Sequence, residues 1–469
     1  GMIEGELGEM LAAAGRAARA GPPTGYVLTF SNGLVAYLSG DTGQTAEQRT
    51  VVGEHYKAKL AVMNIGDTYT TGPTEAAFVV NELIGRNELD PKELDQLVFG
   101  MTIMIPEAPF IAREIALACG LDRVDSYSIT RACATSFQTA ASGAEAILLG
   151  HADTVITGGT DSCSDVRIPL TRRLSATLRD LSFAKTNRER IRILSGLKLR
   201  DILPARPSIT EYSTGETMGE SCEKMVKKWD VPRAEQDDIA HASHVNAARA
   251  WREGRMDDQV MPVTLPDGSR LHEDNLVRKN SDRTGYDKLR PVYDKDNGSV
   301  TAGNASPLTD GAAGLLLMSE HKARALGYNP LGYIRSWAFE AKTPAEDLLM
   351  GPVLAAPRAL ARAGLMLGDL DLVDMHEAFA GQIACNLRGL ASDAYIREMT
   401  GRDQAPGEVD RTRLNVNGGS IAYGHPFGAT GARVIGQTLH ELQHRGGGQA
   451  LTTACAAGGI GAAMIVESE

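Results

Sequence analysis

The alternation of helical and β-rich segments from about residue 75 onward is the feature that most constrains this chain. Residues 78–84 have helical periodicity, residues 97–99 form a short apolar β run, and the same pairing recurs at residues 140–149 and 153–159. The last of these is predicted to be a strand that ends in a glycine turn. Such alternation is typical of a mainly parallel sheet with helices on its faces. The chain is therefore predicted to be an α/β protein.

Two stretches of the chain repeat one pattern, and the region between them differs from both. Residues 89–100 and 365–376 each consist of a short polar turn, a Leu-Asp pair and a strand-like run, which indicates two halves with the same βα plan. Residues 168–290 are instead rich in charged residues, with a helical stretch at 233–255 and a loop-like run at 265–283. They are predicted to be an excursion that covers one end of the sheet. Their basic residues suit an anionic ligand, and a solvated charged surface explains them equally well.

Length and composition exclude several classes of protein. A chain of 469 residues is expected to form two or three structural units. The net charge of −11 disfavours a nucleic-acid surface, which needs clustered cations. No stretch approaches the roughly 20 apolar residues of a transmembrane helix, and no secretory signal is recognisable, so a cytoplasmic protein is expected. The six cysteines contain no CxxC pair, which disfavours zinc ribbons and thioredoxin-type motifs. A disulfide framework is not expected in a large chain without a recognisable signal peptide.

The first motif with chemical content lies at residues 128–138, where a β-branched run leads to Cys133, then to small residues and an Ala-rich helix. A thiol at a helix N-terminus faces the positive end of the helix dipole, which is expected to lower its pKa and favour the thiolate. On its own, a cysteine in this setting is more often a packing residue than a nucleophile.

The second motif, residues 417–433, reads NGGSIAYGHPFGATGAR. Five glycines and a proline around one histidine predict a rigid loop that presents the His425 ring just before a helix beginning near Ala429. A histidine that only fills the core rarely needs such a loop. His425 is therefore predicted to be a functional residue.

Two further motifs lie at predicted strand ends. Residues 454–461, with Cys455, combine a strand end with a glycine turn whose free amide hydrogens could bind an oxyanion. Residues 374–380, with His376, turn from a strand into a helix, where open α/β folds place site residues. Two cysteines and two histidines could also describe a zinc site. Their four separate segments lack paired ligand spacing, which disfavours zinc.

In this order, the four motifs resemble the thiolase family, and most of all the bacterial fatty-oxidation 3-ketoacyl-CoA thiolases and the β subunit of the mitochondrial trifunctional protein. The likeness runs from about residue 79 to residue 469 and includes three more matching segments, at residues 104–114, 211–219 and 304–313. Seven matching segments in register make the resemblance specific.

The resemblance implies the thiolase fold, with two similar βα halves in a five-layered αβαβα arrangement and an inserted loop domain. The expected units are an atypical N-terminal segment at 1–75, an N-terminal domain at 76–167 and 291–323, a loop domain that covers the CoA site at 168–290, and a C-terminal domain at 324–469.

The resemblance also implies an acyltransferase that cleaves 3-ketoacyl-CoA into acetyl-CoA and a shortened acyl-CoA, or runs the reverse Claisen condensation, in fatty-acid β-oxidation. Cys133 resembles the nucleophile that carries the acyl group as a thioester, and His425 resembles the base that takes its proton. Cys455 matches the second acid/base. One oxyanion hole is implied from His425 and His376, and the other from the backbone N–H groups of Cys133 and Ala457.

The residue at position 376 makes the chain resemble one branch of the thiolase family more than the others. Most thiolases carry Asn there, whereas the His-Glu-Ala-Phe form is typical of the trifunctional-type branch, which favours medium- and long-chain substrates. Coenzyme A is then the co-substrate, and no permanently bound cofactor or metal is expected. A homodimer or tetramer is implied, together with a complex with an enoyl-CoA hydratase/3-hydroxyacyl-CoA dehydrogenase subunit.

The first 75 residues lack the Arg-Thr-Pro-Phe-like turn with which the family begins. Residues 25–43 predict a hairpin around Asn32-Gly33, and this stretch resembles a piece of a metallo-β-lactamase-fold hydrolase in which Asp41 would match the bridging metal ligand. His55 is the only histidine before His151, so a working metal site is not expected.

We expect the thiolase part to begin inside this atypical region. Residues 60–66 are predicted to supply the first strand of the thiolase sheet, and residues 73–84 the first helix.

Three other functions are alternatives to that of a thiolase. A ketosynthase-like condensing enzyme would lack a second catalytic cysteine, so Cys455 argues against it. A metallohydrolase fails for want of metal ligands. The third rival is a catalytically silent thiolase-like subunit that binds acyl-CoA. The presence of all four catalytic side chains disfavours it.

Overall fold

The computed structural model describes residues 73–204, 210–264 and 270–469, together with the backbone of four short strands between residues 16 and 62. The strands are β1 (Arg16–Arg19), β2 (Tyr26–Thr29), β3 (Val35–Leu38), β4 (Leu60–Val62), β5 (Gln96–Gly100), β6 (Asp125–Ile129), β7 (Thr154–Asp161), β8 (Val263–Thr264), β9 (Arg270–Leu271), β10 (Gly311–Met318), β11 (Tyr333–Ala341), β12 (Leu372–Met375), β13 (Gly448–Ala456) and β14 (Ile460–Ser468).

The α-helices occupy the segments between these strands. They are α1 (Pro73–Arg86), α2 (Ile111–Ala118), α3 (Thr135–Leu148), α4 (Arg172–Phe183), α5 (Asn187–Ser195), α6 (Leu199–Ile202), α7 (Met218–Lys228), α8 (Arg233–Arg252), α9 (Arg283–Tyr286), α10 (Glu320–Leu326), α11 (Gly351–Ala363), α12 (Ala380–Leu390), α13 (Asp393–Thr400), α14 (Ser420–Tyr423) and α15 (Thr430–His444). No helix among the described residues is both long enough and apolar enough to cross a membrane.

Two four-stranded sheets organise the chain from α1 onward. The first has the strand order β10-β7-β5-β6, in which β5, β6 and β7 are parallel and β10 is antiparallel to β7. The second has the order β11-β14-β13-β12, in which only β12 and β13 are parallel. The prediction of a mainly parallel sheet is thus confirmed for the first sheet and wrong for the second. The tight connection between β13 and β14 makes those two strands an antiparallel hairpin.

Helices and sheets alternate in five layers. The middle layer consists of α3 and α15, which pack on each other between the two sheets. Helices α1 and α2 cover the outer face of the first sheet, and α11 covers that of the second. The packed side chains are Ala76, Val80, Ile111 and Ile115 over Leu97 and Phe99, then Phe137, Ala140, Val434 and Ile435 in the middle, and Val353, Ala356 and Leu360 over Ala463 and Ile465. The predicted αβαβα architecture is confirmed.

The internal repeat seen in the sequence has a structural counterpart. A short 3-10 turn at Pro91–Glu93 precedes β5, and an equivalent turn at Leu367–Asp369 precedes β12. The order β10-β7-β5 in one sheet matches β14-β13-β12 in the other. The two halves therefore share one βα plan.

Small residues let the two middle helices approach closely at the end where the site lies. A Cβ atom on Gly431, in the first turn of α15, would lie 2.7 Å from the backbone nitrogen of Phe137 in α3. The hydroxyl of Ser136 accepts a hydrogen bond from the backbone N–H of Ala432 at 2.8 Å. Both helices consequently begin at the same point, just after the segments that carry Cys133 and His425.

Two predictions about strands are wrong. Gly158 and Gly159 do not form a turn, because β7 continues through them to Asp161. Gly158 accommodates the Phe99 ring, and a Cβ on Gly159 would lie 2.0 Å from the carbonyl oxygen of Gly428. These glycines are therefore needed for close packing onto the strand, not for a change of direction.

Residues 60–66 were predicted to provide the first strand of the thiolase sheet, and this is also wrong. Strand β4 pairs in parallel with β3, in a separate sheet of order β1-β2-β3-β4, so its ladder hydrogen bonds are made there. The predicted first helix is confirmed as α1, and the predicted hairpin strands are β2 and β3, which are antiparallel. The Asn32-Gly33 turn, Asp41 and His55 lie outside the described residues.

The predicted excursion between β7 and β10 contains helices α4 to α9 and the short β8–β9 hairpin. The helix predicted at 233–255 is confirmed as α8. The loop-like run predicted at 265–283 contains β9, and residues 265–269 lie outside the described residues.

Candidate active site

The four candidate side chains come from segments at the same end of the two sheets. Cys133 lies between β6 and α3, and His376 directly follows β12. His425 precedes α15, and Cys455 is near the end of β13. The Sγ atom of Cys133 is 3.0 Å from Nε2 of His425. Cys133, His376 and His425 each place one sulfur or nitrogen atom within 4.8 Å of the others, so the structure gathers these three as predicted.

Cys133 stands on a sharp turn between strand and helix. The preceding residue, Ala132, has a φ of 47°, in the left-handed region that a residue with a side chain rarely adopts. Thr135 stabilises this turn, because its hydroxyl donates to the carbonyl of Ala132 at 2.7 Å and accepts from the N–H of Arg131 at 2.8 Å. The turn leaves Cys133 half-buried, whereas the next residue, Ala134, is fully buried.

The pKa of Cys133 does not follow the expectation from its position before a helix. Burial raises this pKa to about 12, and the backbone N–H groups of Ala457 and of Cys133 itself act in the opposite direction. Desolvation of a thiolate outweighs the favourable dipole and amide contacts here. The expectation that the helix end alone favours the thiolate is therefore wrong. The resting group is a thiol, and a base has to take its proton.

His425 is placed to be that base. Its Nδ1 is 2.7 Å from the hydroxyl oxygen of Thr430, so an Nδ1–H proton has an acceptor and the lone pair of Nε2 faces Cys133. Burial first, and then the charge of Arg433, lower the pKa of His425 to about 3. The imidazole is consequently neutral at physiological pH and able to accept a proton. The edge of the Phe427 ring packs against it, with ring centroids 4.9 Å apart.

The loop that carries His425 is fixed to the first sheet through Asp161 and Gly159. The carboxylate of Asp161 accepts a hydrogen bond from the N–H of Gly428 at 2.7 Å and another from the N–H of Ile103 at 2.6 Å. The absence of a side chain on Gly159 lets the carbonyl of Gly428 lie against β7. Sequence reasoning missed Asp161. Its position at the end of a buried strand was the available signal.

His376 lies beside His425 with its ring partly stacked on it. The two ring centroids are 4.1 Å apart, and the ring planes are inclined by 34°. Burial is the main cause that lowers the pKa of His376 well below its usual value, and the charges of a protonated His425 and of Arg433 act in the same direction. Both histidines are therefore neutral, and the site holds no imidazolium at rest. The hydroxyl of Ser420 lies 2.8 Å from Nδ1 of His376, a contact that the sequence did not reveal.

Cys455 is buried, next to a glycine turn that closes the site from the other side. Burial raises its pKa, and a thiolate on Cys133 would raise it further. The turn is held by a hydrogen bond from the N–H of Gly458 to the carboxylate of Glu211 at 2.7 Å. The same turn directs the N–H of Ala457 toward the sulfur of Cys133. A negative charge formed beside Cys133 would thus meet two backbone N–H groups.

Comparisons with known proteins identify the family. Residues 71–321 match the family model of the thiolase N-terminal domain, and residues 328–468 match that of the thiolase C-terminal domain. The chain belongs to the thiolase family. It is 54% identical over 394 residues to a 3-ketoacyl-CoA thiolase of Yersinia enterocolitica, a match that covers 84% of this chain and 90% of that protein. A 3-ketoacyl-CoA thiolase of Pseudoalteromonas translucida is 53% identical, with 83% and 90% covered.

Solved thiolase structures share the fold. Human mitochondrial 3-ketoacyl-CoA thiolase superposes with a TM-score of 0.72 at 29% identity, covering 85% of this chain and 93% of that chain. The same human enzyme in complex with CoA gives a TM-score of 0.72 at 30% identity, covering 86% of this chain and 93% of that chain. This thiolase is therefore an acyltransferase of known fold. The atypical residues 1–70 lie outside the matched domains.

The geometry bears on two other functions, a zinc site and a ketosynthase-like enzyme. Cys133, His376 and His425 form a compact donor group among the described residues, and Cys455 is not part of it. A ketosynthase-like enzyme would lack a second buried cysteine near Cys133, and Cys455 is present there.

Proposed function

We propose that this thiolase cleaves 3-ketoacyl-CoA by transferring its acyl chain through Cys133 to coenzyme A, as a step of fatty-acid β-oxidation. The observation that carries the proposal is the 3.0 Å contact between the Sγ of Cys133 and the Nε2 of a buried, neutral His425. Both curated relatives described above are named 3-ketoacyl-CoA thiolases, which supports this substrate class.

In the first half-reaction, the sulfur of Cys133 attacks the 3-keto carbon while His425 takes the thiol proton. The bond between C2 and C3 then breaks, leaving the shortened acyl group on Cys133 as a thioester. The departing acetyl-CoA carbanion receives the proton of the Cys455 thiol. The N–H groups of Cys133 and Ala457 hold the tetrahedral oxyanion, and the His425–His376 pair holds the enolate oxygen.

In the second half-reaction, a CoA thiol attacks the thioester and gives its proton to the Cys455 thiolate left by the first step. The bond to Cys133 breaks, and the departing thiolate regains its proton from His425. Both cysteines and His425 return to their starting protonation states. All these steps are reversible, so the same groups serve Claisen condensation, in which Cys455 removes the α-proton.

The finer assignments extend this proposal. His376 supports the trifunctional-type branch, with medium- and long-chain substrates. The excursion at residues 168–290 is proposed as the loop domain that binds CoA, between an N-terminal domain at 76–167 and 291–323 and a C-terminal domain at 324–469. The solved human relative that holds CoA supports coenzyme A as the co-substrate. A homodimer or tetramer, associated with a hydratase/dehydrogenase subunit, completes the proposal.

The decisive experiment measures CoA-dependent thiolysis of 3-ketoacyl-CoAs of increasing chain length. We expect kcat/KM to rise from acetoacetyl-CoA to the medium- and long-chain substrates. Activity confined to acetoacetyl-CoA would contradict the branch assignment while leaving thiolysis intact. Binding of acyl-CoA without turnover of any substrate would instead identify the silent subunit.

Replacing Cys455 with alanine is expected to separate the two chemical steps. Thiolysis should fall by about 10²- to 10⁴-fold, because the acetyl-CoA carbanion loses its proton donor. Exchange of labelled CoA into acyl-CoA should fall much less, because it forms no carbanion: CoA is a good enough leaving group to depart and attack as the thiolate when Cys455 is absent to carry its proton. Both rates are measured on one preparation, so the exchange reaction is the control for folding. An equal loss of both rates would contradict the assigned role.

A further inference from the structure

The two ring nitrogens of His376 differ in their hydrogen bonding, and the acyl-transfer steps above do not account for this difference. Its Nδ1 is 2.8 Å from the hydroxyl oxygen of Ser420, whereas its Nε2 is buried and has no hydrogen-bond partner among the described residues. The same Ser420 oxygen accepts a hydrogen bond from Nη2 of Arg433 at 2.8 Å. Ser420 is fully buried and His376 is 1% exposed, whereas Arg433 is half-buried.

These contacts determine where the hydroxyl proton goes. A guanidinium group can only donate, so the Arg433 contact uses a lone pair of the Ser420 oxygen. The single hydroxyl proton is then free to point at Nδ1 of His376, which becomes the acceptor. A neutral imidazole whose Nδ1 accepts carries its proton on Nε2. Since Nδ1 is occupied by Ser420, Nε2 is the nitrogen left to meet a substrate oxygen.

We propose that Ser420 and Arg433 are positioning residues that hold His376 in the Nε2–H tautomer, so that it donates a hydrogen bond to the substrate oxyanion. This inference rests on the proposed role of His376 in the oxyanion hole. It extends that role by naming the residues that set the donor. A neutral donor held in place before the reaction needs no reorganisation as the enolate forms.

The neighbouring histidine needs the opposite tautomer, and the structure provides a separate partner for it. As the proposed base, His425 has to present a lone pair at Nε2 to Cys133, so its proton lies on Nδ1, where the hydroxyl oxygen of Thr430, 2.7 Å away, is available to accept it. Two adjacent imidazoles thus face the same site with different functions, one accepting and one donating. The two hydroxyl groups behind them distinguish these functions.

Arg433 is itself fixed in place, which the mechanism requires. Its guanidinium lies over the ring of Tyr423, with its central carbon 5.5 Å from the ring centroid, and Nη1 donates to Gln437 at 3.3 Å. The nearby carboxyl of Asp374 has its pKa raised to about 7 by burial, an effect that Arg433 opposes. The donor to Ser420 is therefore anchored by contacts on two sides.

The test compares Ser420→Ala with the parent thiolase. Without the hydroxyl, either tautomer of His376 is open, and we expect kcat for thiolysis to fall by about 10- to 100-fold with KM changed by less than about threefold. Nitrogen-15 NMR of the histidine rings should report Nε2–H for His376 in the parent and a shift toward Nδ1–H in the variant. Ser420→Thr, which keeps a hydroxyl, should restore much of kcat.

A matched control removes another buried serine hydroxyl far from the chemistry. Ser336 is 5% exposed and donates to the carbonyl of Ala359 at 2.7 Å in the outer layer, so Ser336→Ala should cost stability without changing kcat. In addition, His376→Asn supplies an amide donor that needs no tautomer. In that background, Ser420→Ala should have little further effect on kcat.

The outcomes separate this inference from the proposed function. An unchanged kcat and an unchanged His376 tautomer in Ser420→Ala would overturn the inference while thiolysis by the parent stands. An equal effect of Ser420→Ala in the parent and in the His376→Asn background would also overturn it, because a general structural loss is then the cause. Failure of the parent to cleave any 3-ketoacyl-CoA would instead remove the proposed function itself.

Discussion

Replacing Cys133 with alanine is expected to lower kcat for thiolysis by about 10⁴-fold or more, the largest effect of any single change in this protein. The variant has no atom that can form the thioester, and the remaining groups can only bind and polarise the substrate. The half-buried sulfur fills little of the core, so the fold should be retained. Thiolysis of a medium-chain 3-ketoacyl-CoA, followed through loss of substrate absorbance, measures the effect.

Mass spectrometry provides a direct test of the same residue. The parent enzyme mixed with acyl-CoA should gain the mass of one acyl group on the peptide that contains Cys133. Cys385→Ala is the matched control, because this thiol is fully buried in the outer core of the second half. It should leave acylation and kcat near the parent values. Acylation that persists in Cys133→Ala would contradict the nucleophile assignment.

Replacing His425 with alanine is expected to have the second largest effect, a loss of about 10³- to 10⁴-fold in kcat at pH 7. Without the base, the thiolate has to form on its own from a thiol whose pKa burial raises to about 12. The residual rate of the variant should therefore rise about tenfold per pH unit through the neutral and moderately alkaline range, since the thiolate fraction does so well below the pKa. The parent, whose base is already neutral, should lack this slope.

Two results would argue against the base assignment. The first is a pH profile of His425→Ala that stays flat across that range. The second is additivity, because removal of both Cys133 and His425 should be no worse than removal of Cys133 alone if the two act as one unit. Circular dichroism and gel filtration of each variant separate lost chemistry from lost structure.

Much of the site could be predicted from the sequence because its signals are local. Cys133 and His425 each stand in a short segment whose small residues and glycines encode a special turn before a helix. The βα alternation and the repeat at residues 89–100 and 365–376 likewise predicted two similar halves. Such features depend on neighbours within a few positions, which a single sequence contains.

The remaining features depend on contacts that the sequence does not show. The link from Asp161 to Gly428 joins residues 267 positions apart, and the contact of Ser420 with His376 spans 44. The pKa of Cys133 was expected to fall because the helix end is visible in the sequence, whereas burial, which raises it, is a property of the assembled layers. Strand β4 was assigned to the wrong sheet because strand pairing is also long-range.

The proposed nucleophile and its proposed base belong to different halves of the αβαβα stack, since Cys133 precedes one middle helix and His425 precedes the other. The rate of acyl transfer therefore depends on the relative position of the two halves. A displacement of about 1 Å between α3 and α15 would part the reacting atoms while leaving every strand paired, and such a misplacement costs about 10²-fold in rate. On heating, this thiolase should accordingly lose activity at a lower temperature than the one at which it unfolds. Neither half alone contains both reacting side chains, so neither half alone should be active.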